Sequence, residues 1–190
     1  MSRITCEYIP EKRHNMDRHP LKVKEFVAHP CGLWEPEWFL LTCGDFVAGN
    51  FNCMTVSWGS LGVMWNKPFA LVVVRPQRHT RQFIEKYPTF TLCAFSRKYR
   101  KALNLLGTKS GRDGDKIAEA GLTPVAASLV AAPVYEQAQL ALECRKMYWQ
   151  DIDPTHFLDP AIDRNYPDKD YHRIFYGEIL AVAGTEHYVA

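Results

Sequence analysis

From Trp38 onward, short runs dense in Val, Phe, Leu and Thr alternate with breaks made of Gly, Pro and charged residues. Trp38–Cys43 and Phe46–Trp58 are two such runs around Gly44-Asp45, which predicts a strand pair with a turn at the glycine. Phe69–Val74 is a continuous apolar run bounded by Pro68 and Pro76, the pattern of a strand buried on both faces. The period then changes. Thr80–Lys86 places Phe83 and Ile84 three and four residues after Thr80, which predicts a short helix capped by Thr80 and ended by Pro88. Thr89–Phe95 returns to strand composition, and Tyr99–Leu106 predicts a second helix stopped by Gly107. Lys109–Lys116 reads as a polar loop, Lys116–Gly121 as about two helical turns, and Leu140–Trp149 and His172–Val182 as two more strands. Between these last two, Asp159–Asp170 is polar and carries Pro, so it predicts a surface excursion.

Strands outnumber helices, and the helices are inserted between strands without a regular strand-helix alternation. This predicts a mainly β fold, an antiparallel barrel with a few short peripheral helices. Residues 1–36 differ in character, being rich in charge, His and Pro, and are expected to form an irregular N-terminal extension to one domain spanning 37–190. His14 and His19, five apart on a polar stretch, read as solvated residues and receive no metal role.

Composition narrows the function. Of the 190 residues, 47% are hydrophobic and 23% charged, which fits a folded globular chain, and the net charge of +2 gives no basic field for a nucleic acid. The start of the chain lacks an apolar signal segment, and no run approaches a membrane span, so the expectation is a cytoplasmic protein with no membrane partner. The cysteines, Cys6, Cys31, Cys43, Cys53, Cys93 and Cys144, show no C-x-x-C spacing and are expected to be reduced thiols without a metal.

The glycine-rich phosphate loops, the G-x-S-x-G elbow and the H-E-x-x-H motif are all absent. Two segments remain. Asn52-Cys-Met-Thr-Val-Ser-Trp58 resembles the N-x-M-T-x-S-W segment of the flavin reductase and flavoredoxin-like family. The resemblance continues in Lys67-Pro68, Arg75-Pro-Gln-Arg-His-Thr80, Ser110 to Lys116, Leu142-Glu-Cys and His172-Arg-Ile-Phe-Tyr-Gly-Glu-Ile179, in the family's order over residues 37 to 182.

The resemblance implies a Greek-key split β-barrel that binds FMN, acts as an NAD(P)H-dependent flavin reductase and forms a homodimer with the flavin near its interface. Reduced flavin then serves a monooxygenase or another electron acceptor. FMN carries a phosphate, a hydroxylated chain and a flat ring with a polar edge, and each needs its own lining. The resemblance assigns Asn52, Met54, Thr55, Val56, Ser57 and Trp58 to the ring and ribityl chain. Arg78, His79 and Thr80 fall at the phosphate with the start of their helix, Lys116 approaches the flavin, and His172 lies where nicotinamide or substrate arrives. Each residue has a plainer reading: Thr80 as a helix cap, Arg78 and Lys116 as solvated charges, Trp58 as core, Asn52 as a turn residue and His172 as a surface histidine. The alternatives for the whole protein are an electron-transfer flavoprotein without reductase activity, a split barrel for haem or another planar ligand, and a barrel that has lost its cofactor.

Overall fold

The computed structural model describes residues 18–189; Cys6, His14 and the remainder of residues 1–17 lie outside the described part. In chain order the elements are β1 (His19–Leu21), a helical turn α1 (Pro30–Gly32), β2 (Phe39–Asp45), β3 (Asn50–Val56), β4 (Gly59–Met64) and β5 (Lys67–Val74). Next come α2 (Thr80–Lys86), β6 (Thr89–Ala94), α3 (Arg100–Thr108) and α4 (Lys116–Glu119). The chain finishes with the two-residue strands β7 (Pro124–Val125) and β8 (Val134–Tyr135), and the long strands β9 (Leu140–Asp151) and β10 (Arg173–Gly184).

The fold follows from one topological fact. The main sheet runs β3-β2-β6-β9-β10-β5-β4, and β1 also pairs with β10, giving eight strands, all antiparallel. The two ends of that order, β3 and β4, are consecutive in sequence and joined only by Ser57 and Trp58. A two-residue link cannot cross an open sheet, so the sheet curls until its ends approach without pairing, and the result is a split barrel. Register shifts in the β9–β10 ladder at Tyr176/Gly177 and Ile179/Ala181 bend the long strands accordingly. At the first shift Gly177 admits the Phe90 ring: a Cβ there would lie 2.4 Å from Phe90 Cζ.

Side chains alternate across this wall, as a period of two requires. Phe39, Leu41 and Cys43 of β2, Leu92 and Ala94 of β6, and Leu140 and Leu142 of β9 fill the barrel interior. The intervening Leu40, Cys53, Cys93 and Ala141 pack outward under α3 and α4 with Leu103, Leu106 and Ile117. Full burial of each such aliphatic side chain contributes roughly 1.5–3 kcal/mol.

Several expectations change in detail. The turn after β2 lies at residues 46–49, not at Gly44-Asp45, because the Asp45 carboxylate accepts from Ala48 N–H at 3.0 Å and Gly49 supplies the positive φ of 62°. Gly59–Met64 forms a strand that the sequence reading passed over. In β5 Phe69, Ala70, Val72 and Val74 are buried, while Leu71 and Val73 are half-buried, Val73 lining a cavity. Within the segment expected to be irregular, His19–Leu21 pairs with Leu21↔Val182 register on β10. The five cysteines among the described residues are free thiols. No helix among the described residues is long and apolar enough to cross a membrane.

Candidate functional site

The split in the barrel, where Ser57 and Trp58 leave β3, opens into two adjoining cavities of about 270 Å3 and 180 Å3. Met54, Thr55, Val56, Ser57, Trp58, Arg78 and His172 line the larger one. Asn52, Met54, Arg78, His79, Thr80 and Lys116 line the smaller, so Met54 and Arg78 form the junction. Every residue the sequence singled out thus borders one continuous cleft.

The smaller cavity is cationic. Lys116, only 3% exposed, enters it from the start of α4, where the Asp115 carboxylate caps the helix by accepting from Ile117 and Ala118 N–H. Its ammonium donates to the carbonyls of Leu106 and Lys109, both at 3.1 Å. Arg78 donates to the carbonyl of Gly107 at 2.5 Å. Among the described residues, neither these two nor Arg112 pairs with a carboxylate. Burial lowers the Lys116 pKa; nearby Cys53 opposes that shift and Arg78 adds to it. Burial, and then Arg75, likewise lowers that of Arg78, although a guanidinium remains charged. His79 completes the set: burial first, then Arg112 and Lys116, lowers its pKa, and its buried Nδ1 has no hydrogen-bond partner among the described residues. Cations that depress one another's pKa values, beside an unpartnered imidazole nitrogen, form a site that an anion would satisfy.

Thr80 takes a different part from the one expected. The helix cap falls on His79, and Thr80, 1% exposed, donates its hydroxyl proton to the carbonyl of Cys53 at 3.1 Å. The same oxygen accepts from Asn52 Nδ2 at 2.8 Å. With its one proton committed, this hydroxyl cannot donate to a phosphate; it holds Asn52 and ties α2 to β3. The loop after α3 closes over this pair, with Gly111 so near that a Cβ would lie 2.2 Å from Asn52 Oδ1.

The larger cavity mixes the apolar walls of Met54, Val56, Val73 and Trp58 with the hydroxyls of Thr55 and Ser57 and the guanidinium groups of Arg75 and Arg78. Trp58, 46% exposed, lies 5.3 Å from the His172 ring, centre to centre. His172 is 8% exposed, and its Nδ1 lies 2.9 Å from the hydroxyl of Tyr166. Burial, reinforced by Arg75 and opposed by Asp170, pushes the imidazole pKa down to about 4, so it is neutral at pH 7. Arg75 is clasped by Asp170 at 2.7 and 2.6 Å and sits 5.0 Å above the Tyr166 ring. On the opposite side, α3 packs on β3. Thr55 donates to the Leu103 carbonyl at 2.5 Å, and Gly107 lies inside the helix rather than stopping it, because a glycine there lets the helix approach Thr55. As the terminal strand, β3 keeps backbone groups on its outer edge free of sheet pairing.

Sequence reasoning missed Arg75, Ser110, Gly111, Arg112, Tyr166 and Asp170. Arg75, Ser110 and Arg112 lay inside segments already noted, and their residue types were a usable signal. Tyr166 and Asp170 had none, because their role arises from contact with residues distant in the chain.

The comparisons agree with this architecture. The model of the "Flavin reductase like domain" family matches residues 37–189. The chain belongs to this family. No curated protein sequence matches the chain. Among solved structures, an FMN-binding domain of flavin reductases-like enzyme from Shewanella baltica superposes with a TM-score of 0.65 at 16% identity, over 88% of this chain and 77% of that one. The flavoredoxin of Desulfovibrio vulgaris gives 0.61 at 25% identity, over 85% and 73%. An NADH:FAD oxidoreductase of Streptomyces globisporus, in complex with NAD and FAD fragments, gives 0.60 at 19% identity, over 80% and 76%.

Proposed function

We propose that this flavin reductase-like protein binds FMN in the cleft and reduces it with NADH or NADPH, handing the electrons on to a monooxygenase or another acceptor. The observation that carries this reading is a cation cluster without carboxylate partners among the described residues, set directly beside a cavity in which Met54, Val56, Val73 and Trp58 lie with the hydroxyls of Thr55 and Ser57. FMN has that same division between a dianionic end and a flat, mostly apolar ring.

In this reading the phosphate goes to Arg78, Arg112 and Lys116. An ammonium has three protons, and Lys116 spends two on carbonyls, which leaves the third for an anion. The buried Nδ1 of His79 gains its missing partner, and Asn52, fixed by Thr80, presents its carboxamide to the ribityl chain. Thr55 and Ser57, with the outer edge of β3, supply the polar contacts of the ring, while Trp58 and His172 bound the space for a second ring against the flavin. The flavin, when bound, supplies the redox chemistry by accepting a hydride and passing electrons on. The protein's part is to hold the two rings face to face and to exclude water, work for which no general base is required. A homodimer is part of the proposal: Trp58, Trp65, Tyr148 and Trp149 are large aromatic residues about half exposed, and Trp65 and Tyr148, 6.0 Å apart between ring centres, offer apolar area to a second subunit.

The test is an anaerobic absorption experiment on protein supplied with FMN. Bleaching of the flavin by NADH or NADPH supports the reductase reading. The similarity to a flavoredoxin favours one alternative, an electron-transfer protein; in that case flavin stays bound and yellow with either nucleotide and is reduced only by another protein.

A further inference from the structure

The excursion between β9 and β10 reaches back to His172, a residue of the cleft wall, through one side chain. Tyr166 is 2% exposed, stacks on Phe157 with a ring separation of 6.2 Å, and is pinned beneath the Arg75 guanidinium. Its hydroxyl has a single hydrogen-bond partner among the described residues, Nδ1 of His172. The direction of that bond follows from the inventory of protons. A buried phenol that accepted from Nδ1–H would leave its own proton unpartnered, at a cost of about 1–3 kcal/mol, whereas a phenol that donates to Nδ1 satisfies both groups. Burial also raises the Tyr166 pKa, so the phenol keeps the proton it donates.

If Nδ1 accepts, the proton of the neutral imidazole sits on Nε2. That nitrogen has no partner among the described residues, yet it is not among the sealed, unsatisfied atoms, and His172 lines the larger cavity. The charged groups nearest the ring do not alter this. Asp170 is paired with Arg75 and hydrogen-bonded by Gln77, and Arg75 outweighs it in disfavouring a proton on the imidazole.

We infer that Tyr166 is a positioning residue that fixes His172 as a neutral Nε2–H donor directed into the cavity, where it selects ligands carrying a carbonyl or carboxamide oxygen. The ligand part rests on the proposed function, since it assumes a second ring beside the flavin; the tautomer part does not. A neutral donor suits such an oxygen because its proton is not lost or gained between pH 5 and 8.

Nitrogen-15 NMR of histidine-labelled full-length protein, with the His172 signals identified by their loss in His172→Gln, tests both parts. In flavin-free protein at pH 7 the expected result is a protonated Nε2 and an unprotonated Nδ1. The opposite tautomer, an equal mixture or an imidazolium overturns the inference, whatever the protein does with FMN. With FMN added, nicotinamide is expected to shift the Nε2 signal and 3-methylpyridine, which lacks the carboxamide, is not; equal responses overturn the ligand part. Tyr166→Phe keeps the ring and its packing, and is expected to release the tautomer into a mixture and weaken nicotinamide binding roughly threefold to tenfold. Folded Tyr166→Phe protein that retains the wild-type tautomer shows that Tyr166 does not set it.

Discussion

Arg75 and Asp170, 95 positions apart in sequence, meet in an ion pair in which Nη1 donates to both carboxylate oxygens, at 2.7 and 2.6 Å, and which ties the β9–β10 excursion to the wall of the cleft. Gln77 and the carbonyl of Asn165, which accepts from Arg75 Nη2 at 2.8 Å, complete the clasp. These contacts hold the excursion against the back of the site's wall, at Arg75 and His172, while most of its residues stay at the surface. Asp170→Asn is therefore expected to speed amide hydrogen exchange selectively across residues 153–172 while the strands keep their protection. Unchanged exchange in that segment would show that the clasp does not hold it.

Gly111 leaves no room for a methyl group against Asn52, whose carboxamide is already fixed by Thr80. Gly111→Ala must lift the loop or turn Asn52, so FMN affinity is expected to fall on the order of tenfold, the value of one neutral hydrogen bond. Calorimetric titration against wild type reads the effect. Equal affinities would place the loop outside the flavin's reach.

Gly177 plays the corresponding part in the barrel, with the Phe90 ring and Cys144 Cβ where its side chain would be. Gly177→Ala overpacks the bulge and is expected to cost about 1–3 kcal/mol, measured by urea unfolding with an unchanged slope. A midpoint equal to wild type would contradict the packing account.

His172 carries a pH signature. Its pKa falls from the ordinary 6.5 to about 4 in the fold, chiefly through burial. Between those values the unfolded chain binds the proton and the folded one does not, so the contribution of His172 is fully present above about pH 6.5 and is lost as pH falls towards 4, on the order of 3 kcal/mol in all. Unfolding free energies of wild type and His172→Gln, taken from pH 7 to 4, should differ in slope in this window. His79 titrates in the same sense and cancels in the difference, having the same surroundings in both proteins. Parallel curves would mean the imidazole is not buried.

Much of this was legible in the sequence because it is local. The β-rich runs Phe39–Asp45 and Thr89–Ala94 form strands buried on both faces, with alternate residues in the barrel interior and under the helices, and the Asn52–Trp58 and Arg75–Thr80 segments carry the two halves of the cleft in consecutive residues. What was not legible depends on distant partners. Thr80 looks like a cap until Cys53 and Asn52 are seen to claim its hydroxyl, and Gly107 looks like a helix stop until Thr55 is found against it. The Val-rich Phe69–Val74 was misjudged for a similar reason: Val73 faces the cavity, and a site wall can be as apolar as a core.

The central claim is that the cation cluster exists for a phosphate attached to a flavin, and the most direct measurement compares FMN with riboflavin on flavin-free wild type and Lys116→Met by fluorescence titration. Wild type is expected to bind FMN at least about a hundredfold more tightly than riboflavin, from two or more charge-assisted hydrogen bonds, and Lys116→Met to lose about tenfold to a hundredfold for FMN with riboflavin unchanged. Equal affinity of wild type for the two flavins, or binding of neither, would contradict the account.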